Sequence, residues 1–225
     1  MLLRAVPLGS PGSALPAGVC TPGELERAAA MVDPARRHGF LAGRLALRAF
    51  VAELLGVDPE LVVPAYACPD CGPGEHGVPG FALAAGPGSA HDDGGRLPLD
   101  VAASMSRAGG WAILAAEVTP CTAEVTSSRA RPGIGVDLAF VADFRDAIPK
   151  AAFSATERRR AYRAADPPGE AARLWARKEA LLKALGTGLR ADPSHVETVG
   201  ESRVHDLDTR GLGLPEGFVA ALART

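Results

Sequence analysis

The sequence predicts an α+β fold in two halves, and three observations lead to this prediction. Apolar residues recur at helical spacing over 33–55 and again over 170–185, which predicts two long helices. Short apolar runs bounded by Gly and Pro predict short antiparallel strands between and after them. The polar, turn-forming segment 119–132 predicts a linker between an N-terminal half, 1–131, and a C-terminal half, 132–225.

Start and stop signals define the helices of the N-terminal half. Thr21-Pro22-Gly23-Glu24 has the form of a capping box with Pro in the first turn, so a short helix is expected to about residue 32. Asp33-Pro34 then begins the long helix, and Gly56 ends it. The segment 57–100 is rich in Pro and Gly, and loops with short strands are predicted there.

Two buried strands are predicted on either side of the linker. One covers 104–116 around Trp111, and the other covers 133–141, where apolar side chains alternate. The remaining predicted elements are helix 146–153, helix 156–164, a helix-breaking segment at Pro167-Pro168-Gly169, the long helix 170–185, strand 196–199 and strand 218–222.

Composition and charge exclude several classes of protein. The 225-residue chain is 47% apolar and 22% charged, which is too apolar for a disordered protein. Its net charge of −2 lacks the positive excess of a general nucleic-acid binder. No apolar run is long enough to span a membrane, and the start, MLLRAVPLGSPGS, has too short an apolar core for a secretory signal. We therefore expect a soluble, cytoplasmic protein.

The cysteines leave two interpretations open. Free thiols are expected in a reducing cytosol. Cys68-Pro69-Asp70-Cys71, followed by His76, has the spacing of half a zinc site, whereas Cys121 and His91 are isolated from it in the sequence. A loop with two free thiols and a zinc-stapled interaction module both fit this pattern.

The long helix of the C-terminal half carries a polar stripe beside its apolar one. Trp175, Glu179 and Lys183 are four residues apart and therefore share a face. A Glu–Lys pair of this kind is commonly a simple surface ion pair. The apolar stripe is formed by four leucines, Leu174, Leu181, Leu182 and Leu185.

Asp137 is an acid inside the apolar strand that follows the linker. A buried carboxylate is costly unless it is ion-paired or binds a cation, so both explanations are open. Together with Glu179 it would offer two hard oxygen ligands suited to Mg²⁺, an ion that retains waters and takes substrate phosphates. Lys178 and Lys183 supply positive charge for such phosphates.

These residues resemble the two signatures of the 4′-phosphopantetheinyl transferases. Gly135-Val136-Asp137 is similar to the family pattern G-[IV]-D, and WARKEALLK at 175–183 is similar to W-x-x-K-E-[AS]-x-x-K. The resemblance is to the long, single-chain, surfactin-synthetase-activating type, and not to the short trimeric holo-acyl-carrier-protein synthases. Three further segments resemble family pieces in the family order: the coenzyme-A-contacting helix (35–48), the Cys-x-x-Cys-Gly…His-Gly-Lys-Pro loop (68–79) and the Ser-His-Ser strand (104–115).

The resemblance implies both a fold and an activity. The fold would be two similar lobes with pseudo-twofold symmetry, each a small antiparallel sheet packed against a long helix. The N-terminal lobe, 1–131, would hold the nucleotide of coenzyme A, and the C-terminal lobe, 132–225, would carry the catalytic motifs. A monomer would transfer the 4′-phosphopantetheine arm of coenzyme A to a serine of an apo acyl or peptidyl carrier protein, releasing adenosine 3′,5′-bisphosphate. Polyketide, nonribosomal peptide or fatty acid biosynthesis would use the product.

The resemblance also implies roles for individual residues. Asp137 and Glu179 would bind Mg²⁺, with Mn²⁺ as an alternative, against the pyrophosphate. Glu179, directly or through a metal-bound water, would take the proton of the carrier serine, and Lys183 would steady the phosphate under attack. The other expected contacts to coenzyme A come from five residues, Lys178 and Ser106 together with the cations Arg36, Arg44 and Arg107.

Three positions depart from the family pattern. Ala139 stands where a second acid is usual, two residues after Asp137 on the same strand face, so one metal ligand is missing. Val78 replaces the lysine of the loop, and Arg107 replaces the strand histidine while keeping a positive charge. The alternative function is therefore a weakened or inactive relative that binds only coenzyme A or the carrier protein.

Overall fold

The computed structural model describes residues 1–68, 70–74, 76–84, 96–119, 133–190 and 192–225. Nearly all of the predicted linker, together with His91 and Cys121, lies outside these residues. The described helices are Pro22–Ala29 (α1), Pro34–Leu55 (α2), Ala155–Arg163 (α3) and Pro167–Ala184 (α4). The described strands are Leu2–Pro7 (β1), Val62–Pro64 (β2), Tyr66–Cys68 (β3), Gly72–Gly74 (β4), Phe81–Leu83 (β5), Leu97–Pro98 (β6), Val101–Ala108 (β7), Trp111–Val118 (β8), Ile134–Phe140 (β9), Val204–Asp206 (β10) and Phe218–Arg224 (β11).

Helices and small sheets occur together, which confirms the α+β class. The sheets have the strand orders β1-β8-β7, β10-β11-β9, β2-β5-β6 and β3-β4. The chain divides into two compact units, and the C-terminal unit includes Arg4–Val6 and Ser104–Ala115 besides the residues from 130 onward. The pseudo-twofold relation and the boundary after residue 131 remain predictions. None of the described helices has the apolar length that crossing a bilayer requires.

Local signals set the helices of the N-terminal unit as predicted. The Thr21 hydroxyl accepts from the Glu24 amide, and the Glu24 carboxylate accepts from the Thr21 amide, so the capping box is formed. Asp33 caps α2, and Gly56 ends it in the left-handed conformation at φ 67°. The long helix buries a broad apolar face whose largest members are Phe40, Leu45, Leu47, Phe50 and Val51.

Two predicted boundaries in the C-terminal unit are wrong. The single strand expected at 104–116 is a hairpin of β7 and β8, joined by Gly109 and Gly110 at φ 53° and 79°. Two consecutive positive φ angles suit a tight two-residue turn, and glycine adopts them without steric cost. The helix expected from residue 170 begins at Pro167, because Asp166 caps it and its first turn tolerates proline.

Other expected elements are replaced by shorter ones. Instead of a helix at 146–153 there is a 3₁₀ turn over Lys150–Ala152, preceded by another over Val141–Phe144. The segment 196–199 forms no strand, and β10 pairs with β11 in its place. Leu185 is 44% exposed and caps the end of α4, so it does not belong to the buried stripe.

The C-terminal unit is organised by the approach of β9 to α4. β9 pairs with β11 along its whole length, and α4 lies against both strands. A Cβ atom at Gly135 would overlap the carbonyl oxygen of Ala180 and lie 2.6 Å from the amide nitrogen of Ala184. Asp137 follows Gly135 by two residues and therefore shares its face of the strand, toward α4.

Replacing Gly135 with alanine should destabilise the protein. The added methyl group meets helix backbone, which cannot move aside, so we expect a loss of about 2–3 kcal/mol or more in the free energy of unfolding. The matched control is Gly39→Ala in α2, where the nearest atom to a new Cβ is 3.8 Å away. That change should stabilise by about 0.5–1 kcal/mol, since alanine favours helix over glycine. Equal urea midpoints for Gly135→Ala and the native protein would contradict the close approach.

Candidate functional site

A pocket of about 470 Å³ in the C-terminal unit collects most of the residues singled out in the sequence. Its walls come from β7, β9, the 3₁₀ turn after β9, and α4. The chemically relevant lining residues are Ser106, Arg107, Asp137, Ala139, Asp143, Trp175, Glu179 and Lys183. The polar stripe of the long helix, predicted from four-residue spacing, therefore faces one site.

Asp137 is the buried centre of this pocket. It is 5% exposed, and its Oδ1 accepts hydrogen bonds from Ser106 Oγ and from Lys183 Nζ, both at 2.6 Å. Lys183 also donates to the carbonyl oxygen of Val136 at 3.1 Å. The salt bridge that could explain a core aspartate is thus present, and it joins β9 to α4.

β7 supplies a second attachment of β9 that sequence reasoning missed. Ser104 Oγ accepts from the Val136 amide at 3.0 Å, two residues before Ser106 on the same face of β7. Two serines on the same face of β7 therefore hydrogen-bond to consecutive residues of β9, Val136 and Asp137. The signal in the sequence is the Ser-x-Ser pattern, but it does not identify the partner strand.

Glu179 lies one helical turn before Lys183 and is the least satisfied polar group of the pocket. Its Oε1 is buried, and no described residue hydrogen-bonds to that atom. Burial raises the pKa of the Glu179 carboxyl; the charge of Asp137 raises it further, and that of Lys183 opposes the shift. A buried polar atom without a partner is costly, and it indicates a ligand that the protein itself does not provide.

A third carboxylate, Asp143, lines the same pocket and was missed in the sequence analysis. Ala139, the position of the missing acid, is 5% exposed in the pocket wall. Asp143 is exposed and reaches the pocket because the chain enters a 3₁₀ turn directly after β9. An acid four residues after Ala139 is visible in the sequence, but the turn that brings it back is not.

The structure does not bring Lys178 to this pocket. Its side chain is fully buried and donates to Glu157 Oε2 at 2.6 Å and to the carbonyl oxygens of Ala152 and Pro193 at 2.9 and 2.6 Å. All three ammonium protons are used inside the fold, so the expected contact with a phosphate has no donor left. Glu157 also accepts from the Thr198 amide and hydroxyl, which makes this pair part of a satisfied core network.

The two arginines of α2 that were expected to contact the nucleotide, Arg36 and Arg44, lie in the N-terminal unit. The Arg44 guanidinium is buried and lies 3.9 Å from the centre of the Tyr66 ring and 5.3 Å from that of Phe40. Burial raises the pKa of the Tyr66 hydroxyl, although the charge of Arg44 opposes this. Arg36 is exposed, while Arg48 is buried in an ion pair with Glu24. The nucleotide contacts of Arg36 and Arg44 stay predictions.

Comparison with known proteins finds similarity in the part of the chain that carries the pocket. Residues 133–209 match the sequence model of the 4′-phosphopantetheinyl transferase superfamily. A holo-[acyl-carrier-protein] synthase of Cereibacter sphaeroides strain ATCC 17025 is 48% identical over 65 residues, which cover 26% of this chain and 47% of that protein. The synthases of strains ATCC 17029 and KD131 are 45% identical over the same lengths. The chain thus spans about half the length of the curated relatives it matches. The superfamily match includes Asp137, Glu179 and Lys183.

Lys178→Met should destabilise the fold. Removing the lysine leaves Glu157 buried without its counter-charge, which costs about 3–5 kcal/mol in the free energy of unfolding. Urea denaturation provides the measurement. Lys150→Met is the control, because Lys150 is exposed and its loss should change stability by less than about 0.5 kcal/mol. If the two variants unfold at the same urea concentration, the structural role of Lys178 is refuted.

Glu179→Gln should have the opposite effect at neutral pH. Because the folded-state pKa of Glu179 is raised above its ordinary value of 4.5, its contribution to stability is complete below that pH and is lost as pH rises through the folded value. The glutamine variant should therefore melt at a higher temperature than the native protein at pH 7, with the difference disappearing toward pH 4.

Asp137→Asn provides the contrast for that measurement. This change removes the charged acceptor of Lys183 and Ser106, and we expect a lower melting temperature at pH 7. A Glu179→Gln protein that is also destabilised at pH 7 would show that the Glu179 carboxylate is satisfied within the fold.

Proposed function

We propose that this chain transfers the 4′-phosphopantetheine arm of coenzyme A to a serine of an apo acyl or peptidyl carrier protein. The observation that carries the proposal is the pocket in which Asp137, Glu179 and Lys183 meet, within the region similar to the transferase superfamily. We further propose the long, single-chain, two-lobed type acting as a cytoplasmic monomer. Support for that type comes from the segments 35–48 and 68–79, which precede the matched region and resemble pieces of the long type.

The donor set of the pocket fits a hard divalent cation. Asp137 and the partnerless Oε1 of Glu179 would hold Mg²⁺, or Mn²⁺, and waters would complete its coordination. Asp143 is our candidate for the function of the acid missing at Ala139. When bound, such an ion neutralises charge that develops on the phosphates during transfer.

Lys183 is suited to hold the phosphate under attack. Two of its three protons are donated to Asp137 and to the carbonyl oxygen of Val136, which orient the ammonium group. The third proton is available for a phosphate oxygen at the pocket. Arg107 is exposed at the wall of the same pocket, and we propose that it contacts the 3′-phosphate of coenzyme A. The Ser106 hydroxyl donates to Asp137 and so positions that carboxylate, and its contact with coenzyme A stays a prediction.

Glu179 is suited to act as the general base. Burial raises the pKa of the Glu179 carboxyl in the metal-free protein, which favours acceptance of a proton, directly or through a metal-bound water. In the proposed reaction the hydroxyl group of the carrier serine gives its proton to Glu179. The serine oxygen then bonds to the phosphorus next to the pantetheine arm. The bond from that phosphorus to the bridging oxygen breaks, and adenosine 3′,5′-bisphosphate leaves.

A second function is favoured by two positions. Ala139 stands where the family pattern has an acid. Val78, which is 42% exposed, stands where the family loop has a lysine. A protein with these changes would bind coenzyme A or a carrier protein without turning over. Restoration of transfer by Ala139→Glu would distinguish a weakened enzyme from a binding protein.

Intact-mass spectrometry of carrier proteins tests the proposed transfer. The purified protein, coenzyme A and Mg²⁺ should increase the mass of an apo carrier by one phosphopantetheine arm. Glu179→Gln should slow the transfer by about 10²- to 10⁴-fold, the usual contribution of a general base, whereas the exposed Lys150→Met should not. Unmodified carriers from fatty acid, polyketide and peptide synthases, with either Mg²⁺ or Mn²⁺ present, would contradict the proposal. Coenzyme A binding in the same samples, unaccompanied by transfer after Ala139→Glu, would support the second function.

A further inference from the structure

The loop that carries Cys68 and Cys71, which are three positions apart, folds back on itself. Cys68 ends β3 and lies opposite Gly72, the first residue of β4, so Cys71 occupies the turn between the two strands. After β4 the chain returns to β3, where Ala67 and Val78 exchange backbone hydrogen bonds of 3.2 and 2.8 Å. This return places the His76 side chain beside the hairpin turn.

The return brings three metal-ligating side chains together. The sulfur atoms of Cys68 and Cys71 and a ring nitrogen of His76 all lie within 4.8 Å of one another. Two thiolates and one imidazole are ligands typical of zinc sites. Within the described part of the chain, no further His, Cys, Asp or Glu joins this group. The three residues belong to the N-terminal unit and are not among those lining the pocket of the proposed transferase site.

The backbone of this loop permits the cluster only with glycine at one position. Gly77 has a φ of 102°, and a Cβ atom there would overlap the carbonyl oxygen of Ala67 and lie 2.6 Å from the Cα of Cys68. Any other residue would push His76 and Val78 away from β3. The close approach next to Cys68 therefore depends on a residue that carries no side chain.

The turn also provides a suitable environment for a thiolate. The amides of Asp70 and Cys71 donate hydrogen bonds to the Cys68 sulfur and lower the pKa of its thiol.

We propose that Cys68, Cys71 and His76 bind one Zn²⁺ ion, with a water or another exchangeable donor in the fourth position. The ion would connect the β3–β4 turn to the returning segment and hold Val78 and Gly80 in their backbone pairing with Ala67 and Ala65. Binding of the ion would stabilise this small Gly-rich hairpin, because the free energy of metal binding adds to the free energy of folding. This site is independent of the cation site proposed at Asp137 and Glu179.

Zinc and cobalt binding to the reduced full-length chain test this site. The protein, kept in a phosphine reductant and free of metal, should take up one Zn²⁺ per chain in competition with a chromophoric chelator. Co²⁺ in its place should give sulfur-to-metal charge-transfer bands and the visible bands of a tetrahedral ion. Cys71→Ser should weaken Zn²⁺ binding by more than about 100-fold, beyond the effect of altering a residue that only supports a ligand. Cys71 is exposed, so the change leaves the core intact.

Two further variants complete the experiment. His76→Ala should change the visible cobalt spectrum and weaken Zn²⁺ binding while leaving the sulfur charge-transfer bands. Cys20→Ser, which alters a cysteine outside the cluster, should bind Zn²⁺ as the native chain does. The proposal is overturned if the reduced native chain binds no Zn²⁺, or if Cys71→Ser and Cys20→Ser bind it equally. A preparation that contains a Cys68–Cys71 disulfide and binds no Zn²⁺ after reduction would likewise refute it. All of these readouts are independent of phosphopantetheine transfer.

Discussion

The close approach of β9 to α4 is the constraint on which the candidate site depends. Gly135 has no side chain to separate the strand from the carbonyl of Ala180, so the two backbones meet directly. Asp137, two residues farther along the strand, is thereby held against Lys183 of the helix, with Ser106 of β7 on the same carboxylate oxygen. The position of one buried carboxylate therefore follows from a packing requirement elsewhere on the strand.

Two glutamates of the C-terminal unit show how structural and functional roles differ, one fully buried (Glu157) and one half-buried (Glu179). The Glu157 carboxylate accepts hydrogen bonds from the Ser154 amide, from Lys178 and from Thr198, so its acceptor capacity is used within the fold. Glu179 has an oxygen without a partner in the described structure and lies beside a second carboxylate. The paired Glu157 carboxylate is compatible with a stable core. The buried oxygen of Glu179 lowers the stability of the fold, and a bound cation would remove that destabilisation. The same residue type thus serves as a structural group in one place and a candidate functional group in the other.

The sequence predicted what is encoded locally. The ends of α2 followed from Asp33 and Gly56, and the shared face of Glu179 and Lys183 followed from their four-residue spacing. Lys178 was misassigned because adjacency to Glu179 in sequence is a rotation of about 100° around a helix, which turns it into the core.

Features that depend on reversal of the chain direction were predicted less completely. The prediction of one strand at 104–116 did not use the Gly109-Gly110 pair, which is a turn signal in the sequence and joins β7 to β8. Asp143 reaches the pocket through a 3₁₀ turn that its position in the sequence does not indicate. The spacing of Cys68, Cys71 and His76 suggested a metal site, but it did not indicate the strand pairing at Val78 that brings His76 to the cysteines.

Anomalous diffraction from crystals grown with Mn²⁺ and coenzyme A would test the central claim most directly. The account predicts a manganese peak within coordination distance, about 2.0–2.3 Å, of carboxylate oxygens of both Asp137 and Glu179. It also predicts that Glu179 Oε1, partnerless in the described structure, is one of the ligands. A fully occupied coenzyme A diphosphate with manganese bound away from both carboxylates would contradict the account.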